Sequence, residues 1–112
     1  DKALIGKPLP VTFYWQQQRT MSIDYTVFVQ LLDAEGRLVT QIDQQPRQGE
    51  APTSGWLSQE VITDNYTLQL PVDLTPGRYR LIVGFYDANT GIRLPVSTGG
   101  DFVEVSTIEL QR

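Results

Sequence analysis

The segment Leu74-Thr75-Pro76-Gly77-Arg78-Tyr79-Arg80-Leu81-Ile82-Val83-Gly84-Phe85-Tyr86-Asp87 constrains this chain more than any other. Pro76 presets the backbone for the first corner of a β-turn, and Gly77 can take the positive φ that the next corner requires. After that corner, Tyr79, Leu81, Val83 and Phe85 fall on one face, because successive side chains of a strand point to opposite sides. A period of two sustained over this length has no helical counterpart. The chain is therefore organised around a turn that feeds a long strand.

Other segments repeat the pattern. Leu9, Val11, Phe13 and Trp15 alternate on one face, and Pro8 and Pro10, which cannot donate to a ladder, belong at a strand start or an open edge. Leu4-Ile5 is placed as an edge strand, and Gln16 to Ser22 as a loop. Tyr25 to Leu32 is rich in β-branched and aromatic residues, with apolar side chains on both faces. That predicts a central strand with something covering its outer side. Asp33-Ala34-Glu35-Gly36 turns the chain into a partner strand, Leu38 to Asp43. Gln44 to Ser58 is a long irregular stretch, of the kind packed down by its own side chains or used for function. Val61-Ile62-Thr63 and Tyr66 to Leu70 read as one further strand broken near Asp64-Asn65. Asp87 to Gly91 is a tight hairpin with Ile92 to Pro95 returning as a short strand, and Phe102 to Leu110 closes the sheet.

Seven or eight short strands with regular turn signals predict one all-β domain over residues 1–112, an antiparallel β-sandwich. A Tyr just past a Pro-Gly corner, opening a core strand, is the signature of its immunoglobulin-like and fibronectin-III-like forms. The start at Asp1, and Leu4-Ile5-Gly6 reading as the end of something, predict a segment of a longer protein.

Composition removes several functions. A net charge of −4, with no local run of Lys and Arg, argues against nucleic acid as a partner. The chain has no Cys and no His, so it has no thiolate or imidazole for metal binding, and no Ser-His or Cys-His pair. No cofactor is expected. Carboxylates are the remaining acid–base equipment. Asp24, Asp33, Asp43, Asp64, Asp73, Asp87 and Asp101 are placed at strand ends and turns, where Asp caps backbone amides. Asp33 to Gly36 and Asp87 to Gly91 place oxygen ligands at the spacing a calcium ion uses, but turn chemistry explains both segments, and no catalytic or metal-ligating residue is assigned.

The aromatics divide by register. Trp15, Tyr66 and Tyr79 belong to the core, whereas Tyr14, Phe28, Trp56 and Tyr86 are outward candidates. Trp56 lies in the long loop, where a large ring commonly pins the loop to the core; the sharper alternative is a sugar-stacking platform of Trp56 with Tyr86. Arg78, Arg80 and Arg93 read as a solvated sheet face, with Asp87 or Glu60 as pairing partners; an anionic ligand, at Arg93 among them, is the sharper alternative. The possible ligand-binding residues are thus Trp56, Tyr86 and Arg93.

The succession Val11-Thr12-Phe13-Tyr14-Trp15, Asp24 to Asp33 with Gly36, Gln44-Gln45-Pro46, Pro52-Thr53-Ser54-Gly55-Trp56, Asp64 and Tyr66, Pro76-Gly77-Arg78-Tyr79, Gly84-Phe85-Tyr86-Asp87 and Thr90-Gly91-Ile92-Arg93-Leu94 resembles a particular kind of domain. It is similar to the C-terminal extracytoplasmic β-sandwich of bacterial multi-spanning membrane glycosyltransferases, enzymes that resemble the dolichyl-phosphate-mannose protein mannosyltransferases. Leu57-Ser58-Gln59-Glu60 departs from the pattern, where a Pro-Gly turn is expected after the Trp. The resemblance implies a non-catalytic accessory domain on the extracytoplasmic face of a bacterial cell membrane. Its partners would be the membrane-embedded part of the same polypeptide and a glycan or polypeptide acceptor, which it would position or cover. A carbohydrate-binding module and an adhesion-type spacer are the alternatives.

Overall fold

A computed structural model describes all 112 residues. Gly77–Tyr86, the segment with the longest alternation, is the central strand of a five-stranded sheet. The strands are β1 (Lys2–Leu4), β2 (Pro8–Trp15), β3 (Thr26–Leu32), β4 (Leu38–Gln44), β5 (Ile62–Gln69), β6 (Gly77–Tyr86) and β7 (Val103–Gln111). The larger sheet has the order β1-β7-β6-β3-β4, and β2 pairs with β5 in a second sheet of two strands. Two short 3₁₀ turns, Pro46–Gly49 and Thr53–Gly55, shape the long loop between β4 and β5. No helix is long and apolar enough to cross a membrane.

The core lies between the sheets and follows the predicted alternation. Val27, Val29 and Leu31 of β3 and Tyr79, Leu81 and Val83 of β6 meet Phe13 of β2 and Tyr66 and Leu68 of β5. Burying each such side chain contributes about 1.5–3 kcal/mol, and this apolar area, not any single contact, holds the layers together. Trp15 stacks on Phe13 with ring centres 5.2 Å apart and meets Phe85 of the opposite sheet edge-on at 4.8 Å. Its ring therefore ties β2 to β6.

The expected β-turn at Pro76-Gly77 is instead a bend at Pro76, with Gly77 already the first residue of β6. Gly77 takes φ +150°, a conformation L side chains rarely adopt, and the Tyr79 hydroxyl donates to the Thr75 carbonyl at 2.7 Å. Tyr79→Phe is expected to lower the unfolding free energy by about 0.5–1.5 kcal/mol, the usual net value of one hydrogen bond. An unchanged urea midpoint would show that this bond does not hold the corner.

Three further expectations need correction. The sheets are not wholly antiparallel, because β1 runs parallel to β7, with Lys2 opposite Glu109. β5 is unbroken: Asp64 and Asn65 pair in register with Phe13 and Thr12 of β2, and the Thr12 hydroxyl donates to Asn65 Oδ1 at 2.8 Å. Ile92 to Pro95 is not a strand. It makes one bridge, Arg93 to Tyr86, through two backbone bonds, from Leu94 N–H to the Phe85 carbonyl and from Asp87 N–H to the Ile92 carbonyl.

Candidate functional site

Trp56 takes the pinning role. Its ring is 7% exposed, and its indole N–H donates to the Ala51 carbonyl at 2.8 Å, folding the loop onto itself. Thr53 pins the same loop from its other side. It is fully buried; its hydroxyl donates to the Ile23 carbonyl and accepts from the Tyr25 N–H. The Leu57–Glu60 turn closes without Pro or Gly, because Gln59 adopts φ +65° and the Glu60 carboxylate accepts the Leu57 N–H at 2.9 Å. With its ring buried, Trp56 presents no stacking surface beside Tyr86.

Of the other outward candidates, Tyr14 is exposed and Phe28 is not. Phe28 is 2% exposed although it points away from the core. Its cover comes from the segment after β6. Arg93 lays its guanidinium over the Phe28 ring, 4.2 Å from the ring centre, and pairs with Asp101 at 3.4 Å. Underneath, Gly84 admits the ring: a Cβ at that position would stand 2.4 Å from Phe28 Cζ, closer than real contacts allow. The predicted covering of β3's outer side is thus a residue-by-residue stack of Gly84, Phe28 and Arg93.

Tyr86 and Arg93 come together around this stack. The Tyr86 hydroxyl donates to Asp43 Oδ2 at 2.8 Å, and that carboxylate raises the phenol's pKa. Phe28, Gln30, Asp43, Tyr86, Gly91 and Arg93 line a shallow hollow of about 230 Å³ on the outer face of the larger sheet. The ion-pair partners differ from those expected: Arg93 pairs with Asp101 and Arg80 with Glu104, not with Asp87 or Glu60. Antiparallel register between β6 and β7 sets Arg80 one diagonal from Glu104. Both pairs are partly exposed and contribute little to stability.

Asp64 departs from the turn position expected of it. It sits mid-strand and fully buried, not at a turn. Its Oδ2 accepts the Trp15 indole N–H at 2.9 Å and the Tyr66 hydroxyl at 2.5 Å, and its Oδ1 accepts the Arg47 backbone N–H at 2.8 Å. The last bond reaches the long loop where Arg47 and Gln48 stand at φ +55° and +57°, left-handed conformations that cost side-chain-bearing residues energy. A signal was present in the sequence. Ile62, Asp64, Tyr66 and Leu68 alternate without interruption, so the strand period alone puts Asp64 on the core face.

Burial, and then Asp64, raise the Tyr66 phenol's pKa well above the ordinary tyrosine value. The unfolded phenol ionises near pH 10 while the folded one stays protonated, so stability is complete below that pH and falls above it. One proton corresponds to a slope of about 1.4 kcal/mol per pH unit. Denaturant midpoints measured from pH 9 upward are expected to decline, and Tyr66→Phe to flatten the decline. Equal slopes in both proteins would contradict this account.

Asp33 and Asp87 serve turns. Asp33 Oδ1 accepts from the Glu35 and Arg37 backbone N–H groups, the latter bond holding its carboxyl below the usual range, and Asp87 Oδ1 accepts from the Asn89 N–H. No group of three or more acidic side chains is gathered to hold a metal ion. No family model matches the chain, and no curated protein or solved structure matches it.

Proposed function

We propose that the chain is a non-catalytic accessory domain of immunoglobulin-like architecture. It would stand outside the membrane beside the membrane-embedded part of a glycosyltransferase-like protein, where it positions or covers the acceptor. The strand order β1-β7-β6-β3-β4 over β2-β5, together with the Tyr79–Thr75 bond, supports the architectural part of this reading. The functional part is supported by one observation: four of the aspartates that acid–base chemistry could draw on are engaged in the frame. Asp64 accepts from Trp15, Tyr66 and Arg47, and Asp24, Asp33 and Asp87 accept from turn amides.

The reading is tested in the full-length protein. Deleting residues 1–112 is expected to raise the KM for acceptor by about tenfold or more while hydrolysis of the sugar donor keeps its rate, as loss of an acceptor-binding interaction requires. Loss of donor turnover, or unchanged acceptor kinetics, would overturn it. The gene is also required to encode about ten apolar spans of about 20 residues upstream of Asp1.

A further inference from the structure

The outer face of the larger sheet carries a small second core. Phe28 and Ile82 are each 2% exposed, yet neither belongs to the cluster between the sheets. Part of the segment after β6 folds back over Phe28 and Gly84. The Asp101 carbonyl comes within 3.0 Å of where a Gly84 Cβ would stand, and Arg93 covers Phe28. Beside this cover, strand register sets Asp43 next to Phe28, and Gln41 next to Gln30. The hollow described above lies between the cover and β4.

Its polar groups are only partly satisfied. Asp43 accepts one hydrogen bond, from Tyr86 to Oδ2, which leaves Oδ1 open on an exposed residue. The one side-chain hydrogen bond of Arg93 runs to Asp101 at 3.4 Å, leaving further guanidinium N–H groups without a protein acceptor. Gln30 donates to Gln41 and keeps its own amide oxygen and second N–H. An ionised carboxylate can only accept and a guanidinium can only donate. A free anion in the hollow would face Asp43 and Asp101, and a free cation would face Arg93. The ligand that satisfies both is neutral and carries neighbouring groups that each donate and accept.

The geometry points to this hollow as a binding site for a neutral saccharide, with vicinal hydroxyls bridging Asp43 and the Arg93–Gln30 donors against the Tyr86 ring. The inference rests on the accessory-domain reading only in making that saccharide the acceptor. It does not use Trp56.

Binding is tested on the 112-residue chain by titrating ¹⁵N-labelled protein with methyl α-D-mannopyranoside, methyl β-D-glucopyranoside and sodium glucuronate. At least one neutral glycoside is expected to give saturable shifts at the Gln30 and Gln41 side-chain amides and the Tyr86 and Arg93 signals. A small open site implies a dissociation constant on the order of millimolar. Asp43→Asn is expected to weaken this binding by about tenfold or more, the loss of a hydrogen bond to a charged group. Tyr86→Phe, which keeps the ring, is expected to weaken it less. No saturable shift with either neutral glycoside, stronger binding of glucuronate, or shifts centred on another face would each overturn the inference. An Asp43→Asn variant that binds as tightly as the parent would do the same. The deletion experiment above reads acceptor use and does not depend on these outcomes, so the two ideas fail separately.

Discussion

Asp64→Ala is expected to lower the unfolding free energy by about 3–5 kcal/mol, because it strands three donors at once. Trp15 Nε1, the Tyr66 hydroxyl and the Arg47 N–H all end on this one buried carboxylate. Each buried donor left unpaired costs about 1–3 kcal/mol, though some relaxation toward water reduces the total. The damage should reach beyond the strand. Without the Arg47 bond the left-handed pair Arg47–Gln48 loses its restraint, so backbone amides of residues 45–51 should exchange faster than in the parent protein. Asp64→Asn should fall between the two, since it keeps a carbonyl oxygen but turns an N–H₂ toward donors. Urea unfolding that places Asp64→Ala within about 1 kcal/mol of the parent would mean that these donors find water easily.

Trp15→Ala should cost a similar amount, about 3–5 kcal/mol, by a different route. The ring joins Phe13 of its own strand to Phe85 on the opposite sheet, and its removal leaves a cavity where the layers meet. It also takes one donor from Asp64. Trp15→Phe should cost less than Trp15→Ala, because it keeps a six-membered ring between Phe13 and Phe85 while removing the indole N–H together with the rest of its five-membered ring. A double-mutant cycle between Trp15 and Asp64 should show coupling, as contacting residues in one network do. Additive effects, or a mild Trp15→Ala, would place the ring's main contribution elsewhere.

The architecture was legible where the signal is local. Alternation marked β2, β6 and the two parts of β5, β-branched and aromatic residues marked β3, and the Pro76-Gly77 corner marked the hydrogen bond of Tyr79. Apolar residues on both faces of β3 called for an outer cover before one was seen. Asp64-Asn65 suggests a break by residue type, but the two-residue period from Ile62 to Leu68 runs through it, and β5 follows the period. Of the three candidate ligand residues, Tyr86 and Arg93 meet around one hollow and Trp56 does not. Its direction depended on whether Ala51 could return to accept the indole N–H.

What the sequence by itself determined is most of the strands, the hairpin turns at Asp33–Gly36 and Asp87–Gly91, and the apolar face of β2 and β6. These follow from neighbouring residues, through side-chain period and turn geometry. The tertiary structure alone decided the partners: Trp15 and Arg47 on Asp64, Arg93 over Phe28, Glu104 rather than Glu60 beside Arg80. Those pairings depend on strand register, on loop closure and on how the two sheets stack, which bring together residues far apart in the chain. No local pattern encodes them, because the same strands in another register would bring other side chains together.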